Sequence, residues 1–188
     1  MADLNVDIPV VEQEICVTCG FCCDGTLFTH AVLRPGERGN LPARVEEQYS
    51  QEGEREFFTL PCAYFCGKCT IYDQKRALVC GAFRCKLLKN FAKGKITQDG
   101  ATQTVANVKQ LKNDIFDLYA GLVGIACSWS FMELLDELPK LWQTYSADSG
   151  KNKQVSLLVL KCALLDTLLT KTFKSSQNFD ALIKSSMN

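Results

Sequence analysis

Apolar positions repeat at three- and four-residue spacing through the second half of the chain. Val105, Val108, Leu111, Ile115, Leu118, Leu122 and Ile125 fall on one stripe, which predicts a helix from about Thr104 to Ala126. Ser130 followed by Glu133 is a capping box: the serine oxygen accepts an orphan backbone amide, and the glutamate reaches back to the serine's own N–H. It opens a second helix through Leu134, Leu135, Leu138, Leu141, Trp142 and Tyr145, with Pro139 expected to bend or split it. Val155, Leu158, Cys162, Leu165, Leu168 and Leu169 mark a third, its apolar face widened by Leu157, Leu160 and Leu164. A short fourth helix is expected after Asn178.

The first half lacks such periodicity. Thr26 to Leu33 alternates loosely up to the turn signal Arg34-Pro35-Gly36, which predicts a short strand. Pro42 to Gln51 reads as one short helix with its proline in the first turn. Glu54 to Leu60 and Thr70 to Tyr72 are weaker strand candidates. The fold class predicted is mainly α: an irregular, metal-stapled cysteine module with short strands, packed on a three- to four-helix body. The composition shift near Gly94 to Gly100 divides the chain into a cysteine-cluster module, residues 1–95, and a helical body, residues 96–188.

Composition sharpens that division. Nine of the 11 cysteines, four of the 5 prolines and the single histidine lie before the boundary. Formal charge is zero, from 21 basic and 21 acidic residues, which argues against nucleic-acid binding by bulk electrostatics. The acidic N-terminus has no signal-peptide pattern, and the longest apolar-looking run, Leu118 to Met132, is too short to span a bilayer. A cytoplasmic location away from membranes is the expectation. There thiols stay reduced, so the cysteines read as metal ligands rather than disulfides.

The densest chemistry is Cys16-Val17-Thr18-Cys19-Gly20-Phe21-Cys22-Cys23, four cysteines in eight residues. C-x-x-C spacing folds the backbone back so that two thiolates can face one metal or cluster. Adjacent Cys22 and Cys23 cannot both reach one tetrahedral ion without strain, so they serve neighbouring metals or opposite sides of one site. The partners follow about forty residues later: Cys62, Cys66 and Cys69, then Cys80 and Cys85. Eight or nine thiols suit one four-iron cluster with spare cysteines, or two metal centres. Either way the first group is half of a site that the second completes, and ligation ties the module together.

These stretches resemble the YkgJ-type cysteine-cluster family, a zinc- or iron-chelating domain named for its C-x-x-C-x-x-C-C signature. The likeness runs from about residue 14 to 90. It rests on Cys16 to Cys23, on Pro61-Cys62 through Cys69-Thr70-Ile71-Tyr72, and on Arg76 through Cys80 to Cys85. Ala77 stands where the family has proline, and Cys66 is extra. The resemblance implies Cys16, Cys19, Cys22, Cys23, Cys62, Cys69, Cys80 and Cys85 as metal ligands. One branch of the family resembles flagellin lysine methylases, but no methyl-donor motif occurs in this chain.

The triple C-x2-C-x2-C with a remote fourth cysteine resembles bacterial ferredoxin ligation, which favours an iron–sulfur cluster of the 4Fe-4S type over zinc. The expected function is therefore a metal-binding protein whose iron–sulfur centre transfers electrons or serves as the redox component of a modification enzyme. A protein redox or modification partner would go with it. The alternative is a structural zinc module presenting the helical body to a protein partner. Cys127 and Cys162 lie on apolar helical faces and read as core. Trp129, Phe131 and Trp142 read as core or groove residues, and Tyr72 as packing beneath the site. Arg76 and Arg84 could offset thiolate charge, and His30 is a marginal candidate ligand.

Overall fold

A computed structural model of the chain describes residues 10–126, 129–148 and 150–174. The expected fourth helix and Cys127 lie outside the described residues. The elements in chain order are α1 (Val10–Cys19), β1 (His30–Val32), α2 (Ala43–Glu46), β2 (Tyr49–Glu52), β3 (Arg55–Thr59), α3 (Leu78–Ala82), α4 (Lys86–Ala92), α5 (Gln98–Val123), α6 (Phe131–Tyr145) and α7 (Asn152–Thr172). The protein is mainly helical, with one small antiparallel sheet in the order β1-β3-β2.

The helical half follows from periodic burial. Helix α5 buries Val105, Val108, Ile115, Tyr119 and Leu122, and α7 buries Val155, Leu158, Cys162, Leu165 and Leu169. Burying one such aliphatic side chain contributes about 1.5–3 kcal/mol, so the α5–α7 seam dominates the core. Lys161 on α7 pairs with Asp114 on α5 at 3.0 Å. A hydrogen bond from Gln110, together with that contact, holds the Asp114 carboxyl below its usual range. Helix α5 begins six residues earlier than the apolar stripe predicts, because Thr97 accepts from the Gly100 amide and caps it there. Ala101, fully buried, is the first core position.

The capping box at Ser130 and Glu133 is present with both hydrogen bonds. Pro139 does not split the helix: α6 runs unbroken through it, with the proline on the exposed side. A solvent-facing position lets water take the carbonyl that the missing N–H leaves free. Trp142 is 44% exposed and so is not a core residue. Leu157, Leu160 and Leu164 widen the apolar face of α7 as expected, yet they are exposed. Phe131 and Cys162 are fully buried.

In the first half, β2 and β3 form a hairpin whose register pairs Glu52 with Arg55. The two-residue turn places Gly53 first at φ 60°, the glycine-first pattern of a type II′ turn, whose twist suits the hairpin. The predicted helix over Pro42 to Gln51 is shorter, because Tyr49 onward pairs with β3 as strand. Thr70 to Tyr72 is a turn, not a strand. Helix α1 is an element that the sequence reading does not anticipate.

Burial falls into two groups. The larger joins Ile15, Phe21 and Leu27 to the buried faces of α5, α6 and α7, and includes Phe173. The smaller, Ala31, Leu33, Val45, Phe58 and Ala77, lies under the sheet. The cysteine segments run between them. No helix among the described residues is long and apolar enough to cross a membrane.

Candidate metal centre

Helix α1 carries Cys16 and Cys19 three residues apart, hence on one side. It ends at Gly20, whose N–H donates to the Cys16 carbonyl and whose φ is 72°. The chain then turns tightly: the amides of Cys23 and Asp24 both donate to the Gly20 carbonyl, at 2.8 and 3.0 Å. Lys112 of α5 anchors this turn, holding Asp24 at 2.8 Å and the Thr26 hydroxyl at 2.7 Å. Phe21 of the same turn is fully buried in the main core, edge-on to Phe173 at 5.2 Å.

The second group meets the first through the backbone, because the Cys62 amide donates to the Cys23 carbonyl at 2.8 Å. Cys69 lies opposite Phe65 in an isolated β-bridge, and Cys80 is on α3, which begins where the Leu78 amide meets Glu37. Cys85 is the N-cap residue of α4. Beside it Arg84 makes an ion pair at 3.0 Å with Glu12 of α1, whose side chain is 4% exposed. A buried carboxylate needs such a partner, so this pair fastens the Cys85 segment to the helix bearing Cys16 and Cys19.

Two adjoining cavities result. The larger, about 90 Å³, is lined by the cysteines at 16, 22, 23, 62, 69 and 80, with Tyr72 and Arg76 among the other wall residues. The smaller, about 30 Å³, is lined by the cysteines at 16, 19, 22, 23 and 85. All eight proposed ligands face one cavity or both. Cys66 is exposed and lines neither. His30 lies against the Phe57 ring at 4.9 Å and bonds Thr29, away from both cavities. Tyr72 forms part of the wall as expected, with the Arg76 guanidinium 4.1 Å over its ring.

Burial sets the electrostatics. It pushes the Cys16 thiol up to about 11 and Cys80 up to about 12, and raises Cys19, Cys22, Cys23, Cys62 and Cys85 as well. Neighbouring thiols add to the rise. Arg76 opposes it at Cys16 and Cys80, Arg44 at Cys62 and Lys89 at Cys85. Grouped thiols with cationic neighbours are a donor set suited to a soft metal, whose charge would replace the protons. Among the described residues, no group of three or more His, Cys, Asp or Glu side chains stands arranged to hold a single metal ion. Four thiolates on one zinc lie only about 3.8 Å apart, given zinc–sulfur bonds of about 2.3 Å. Closing on one ion would draw these sulfurs inward, whereas their present arrangement surrounds cavities.

Cys66, exposed and outside both cavities, should behave unlike Cys19 and Cys22. A small alkylating agent at neutral pH is expected to modify Cys66 before Cys19 or Cys22, because only thiolates react and burial keeps those two protonated. Peptide mass spectrometry over a time course checks the order; earlier labelling of Cys19 or Cys22 would contradict the buried arrangement.

No family model, curated protein or solved structure matches this chain.

Proposed function

We propose that this protein binds metal through its clustered cysteines and carries an iron–sulfur centre, used for electron transfer or as the redox component of a modification enzyme. The observation that carries the reading is the convergence of eight cysteines, from three separated stretches of chain, on two adjoining cavities. The ligands are Cys16, Cys19, Cys22, Cys23, Cys62, Cys69, Cys80 and Cys85. The ferredoxin-like C-x2-C-x2-C run supports iron–sulfur over zinc. Membership of the YkgJ-type family belongs to the same reading, on the motifs quoted above.

An iron–sulfur centre supplies one-electron chemistry when bound. The chain's own part is to hold the thiolates, offset their charge with Arg76, Arg44 and Lys89, and exclude water with Phe21, Phe28 and Phe83. A redox protein partner and a cytosolic setting, where thiols stay reduced, complete the proposal. A structural zinc module is the second reading, because an all-thiolate set also suits zinc.

Anaerobic purification with iron, sulfide and zinc analysis tests the choice. Iron, labile sulfide and a broad visible absorption are expected, and Cys19→Ser should bleach that absorption. A colourless protein with stoichiometric zinc, and no iron after anaerobic reconstitution, would establish the zinc module instead.

A further inference from the structure

The cavities do not share the cysteines evenly. Cys19 and Cys85 line only the smaller one, Cys62, Cys69 and Cys80 only the larger, and Cys16, Cys22 and Cys23 both. Packing separates the shared three. Cys19 and Cys85 are members of the main core, and Cys16 and Cys22 pack against it. Cys62 packs instead against the small core under the sheet, and its amide is bonded to the Cys23 carbonyl.

We infer that the eight cysteines form two four-thiol metal centres sharing a wall: Cys16, Cys19, Cys22 and Cys85 in the main core, and Cys23, Cys62, Cys69 and Cys80 beneath the sheet. The inference rests on the metal-binding function proposed above. It chooses two metal centres over one four-iron cluster with spare cysteines, the two arrangements that the spacing leaves open. It also explains the vicinal pair. Cys22 and Cys23 serve different centres, so no ion has to accept two adjacent residues. The first centre joins α1 and the turn after it to the start of α4, and the second joins that turn to α3 and the segment between β3 and α3. Each takes a tetrathiolate-bound soft metal, as an iron–sulfur cluster or as a single ion.

The test compares full-length Cys85→Ser, Cys80→Ser and the double variant with the unsubstituted protein. All are reconstituted anaerobically with ferrous iron and sulfide, and separately titrated with cobalt(II), whose thiolate charge-transfer bands count bound centres. Each single variant is expected to lose about half of the metal and keep the rest, and the double variant to lose nearly all, because each serine removes a ligand from one centre only. Cys66→Ser should keep the full amount. Far-UV circular dichroism identifies a variant that has not folded. In that case the cobalt titration of the unsubstituted chain decides: two tetrathiolate ions per chain support two centres, and one overturns them. Complete loss of metal in either folded single variant overturns the division but leaves metal binding intact. No uptake of iron, zinc or cobalt by the unsubstituted chain overturns the proposed function itself. Zinc in both halves would keep the division and remove only the iron–sulfur assignment.

Discussion

Phe21→Ala is expected to cost about 3–5 kcal/mol of folding stability, the usual range for deleting a fully buried aromatic ring. The ring is 0% exposed, stands edge-on to Phe173 and forms part of the smaller cavity's wall. Its removal leaves a hole between the turn that carries Cys19 and Cys22 and the end of α7. The backbone there is already committed, because the Leu27 amide donates to the Phe21 carbonyl and the Lys86 amide to the Phe173 carbonyl. The site therefore cannot easily collapse, which puts the cost near the upper end. A lower urea midpoint at unchanged denaturant dependence is the readout. A loss under about 1 kcal/mol would mean that the turn is not seated on the helical core as described. The same variant should lose metal from the centre held by Cys19 and Cys22 before the other, linking core packing to the site.

Burial periodicity explains why the helical body was legible. Helices α5, α6 and α7 each bury one face, and a 3.6-residue period leaves that face visible in the chain. The outer leucines of α7 were ambiguous for the same reason. A helix apolar on several sides does not reveal which side has a partner, and Leu157, Leu160 and Leu164 lie on the side facing solvent. Helix α1 was hidden because its buried positions are Glu12, Ile15 and Cys19. The spacing is helical, but a glutamate and a ligand-type cysteine do not register as core. Glu12 is buried only because Arg84, seventy-two positions along the chain, comes back to meet it.

The candidate site shows the same limit. Residue type and spacing marked out eight or nine clustered cysteines, the family resemblance implied eight of them as ligands, and all eight face the cavities. Their division could not be read, since it depends on which core each segment packs against. Cys80 and Cys85 are five residues apart, yet Phe83 and the ion-paired Arg84 lie between them. That short stretch leaves α3 beside the sheet and starts α4 against the helices. The chain between them turns the two thiols toward different cavities.

Gly20→Ala is the second large effect, expected at about 2–5 kcal/mol. Two costs add. Left-handed backbone at φ 72° costs a residue with a Cβ roughly 1–2 kcal/mol, and overpacking adds about 1–3 kcal/mol. The overlap is specific: a Cβ at Gly20 would stand 2.5 Å from Cε2 and Cζ of Phe65. The ring must swing away, and it carries the wall of the larger cavity beside Cys62 and Cys69. Gly124→Ala supplies the reference, because Gly124 also ends a helix with a left-handed φ of 81° but has nothing within 4 Å of its missing Cβ. Gly20→Ala should cost more than Gly124→Ala by the overlap alone. Combining Gly20→Ala with Phe65→Ala should recover that excess, giving a favourable coupling on the order of 1 kcal/mol or more in a double-mutant cycle. Equal costs for the two glycines, or strictly additive effects of Gly20→Ala and Phe65→Ala, would refute the close approach of the α1 terminus to the second cysteine segment. A confirmed coupling would tie the two cysteine groups together through Gly20 and Phe65, independently of any metal.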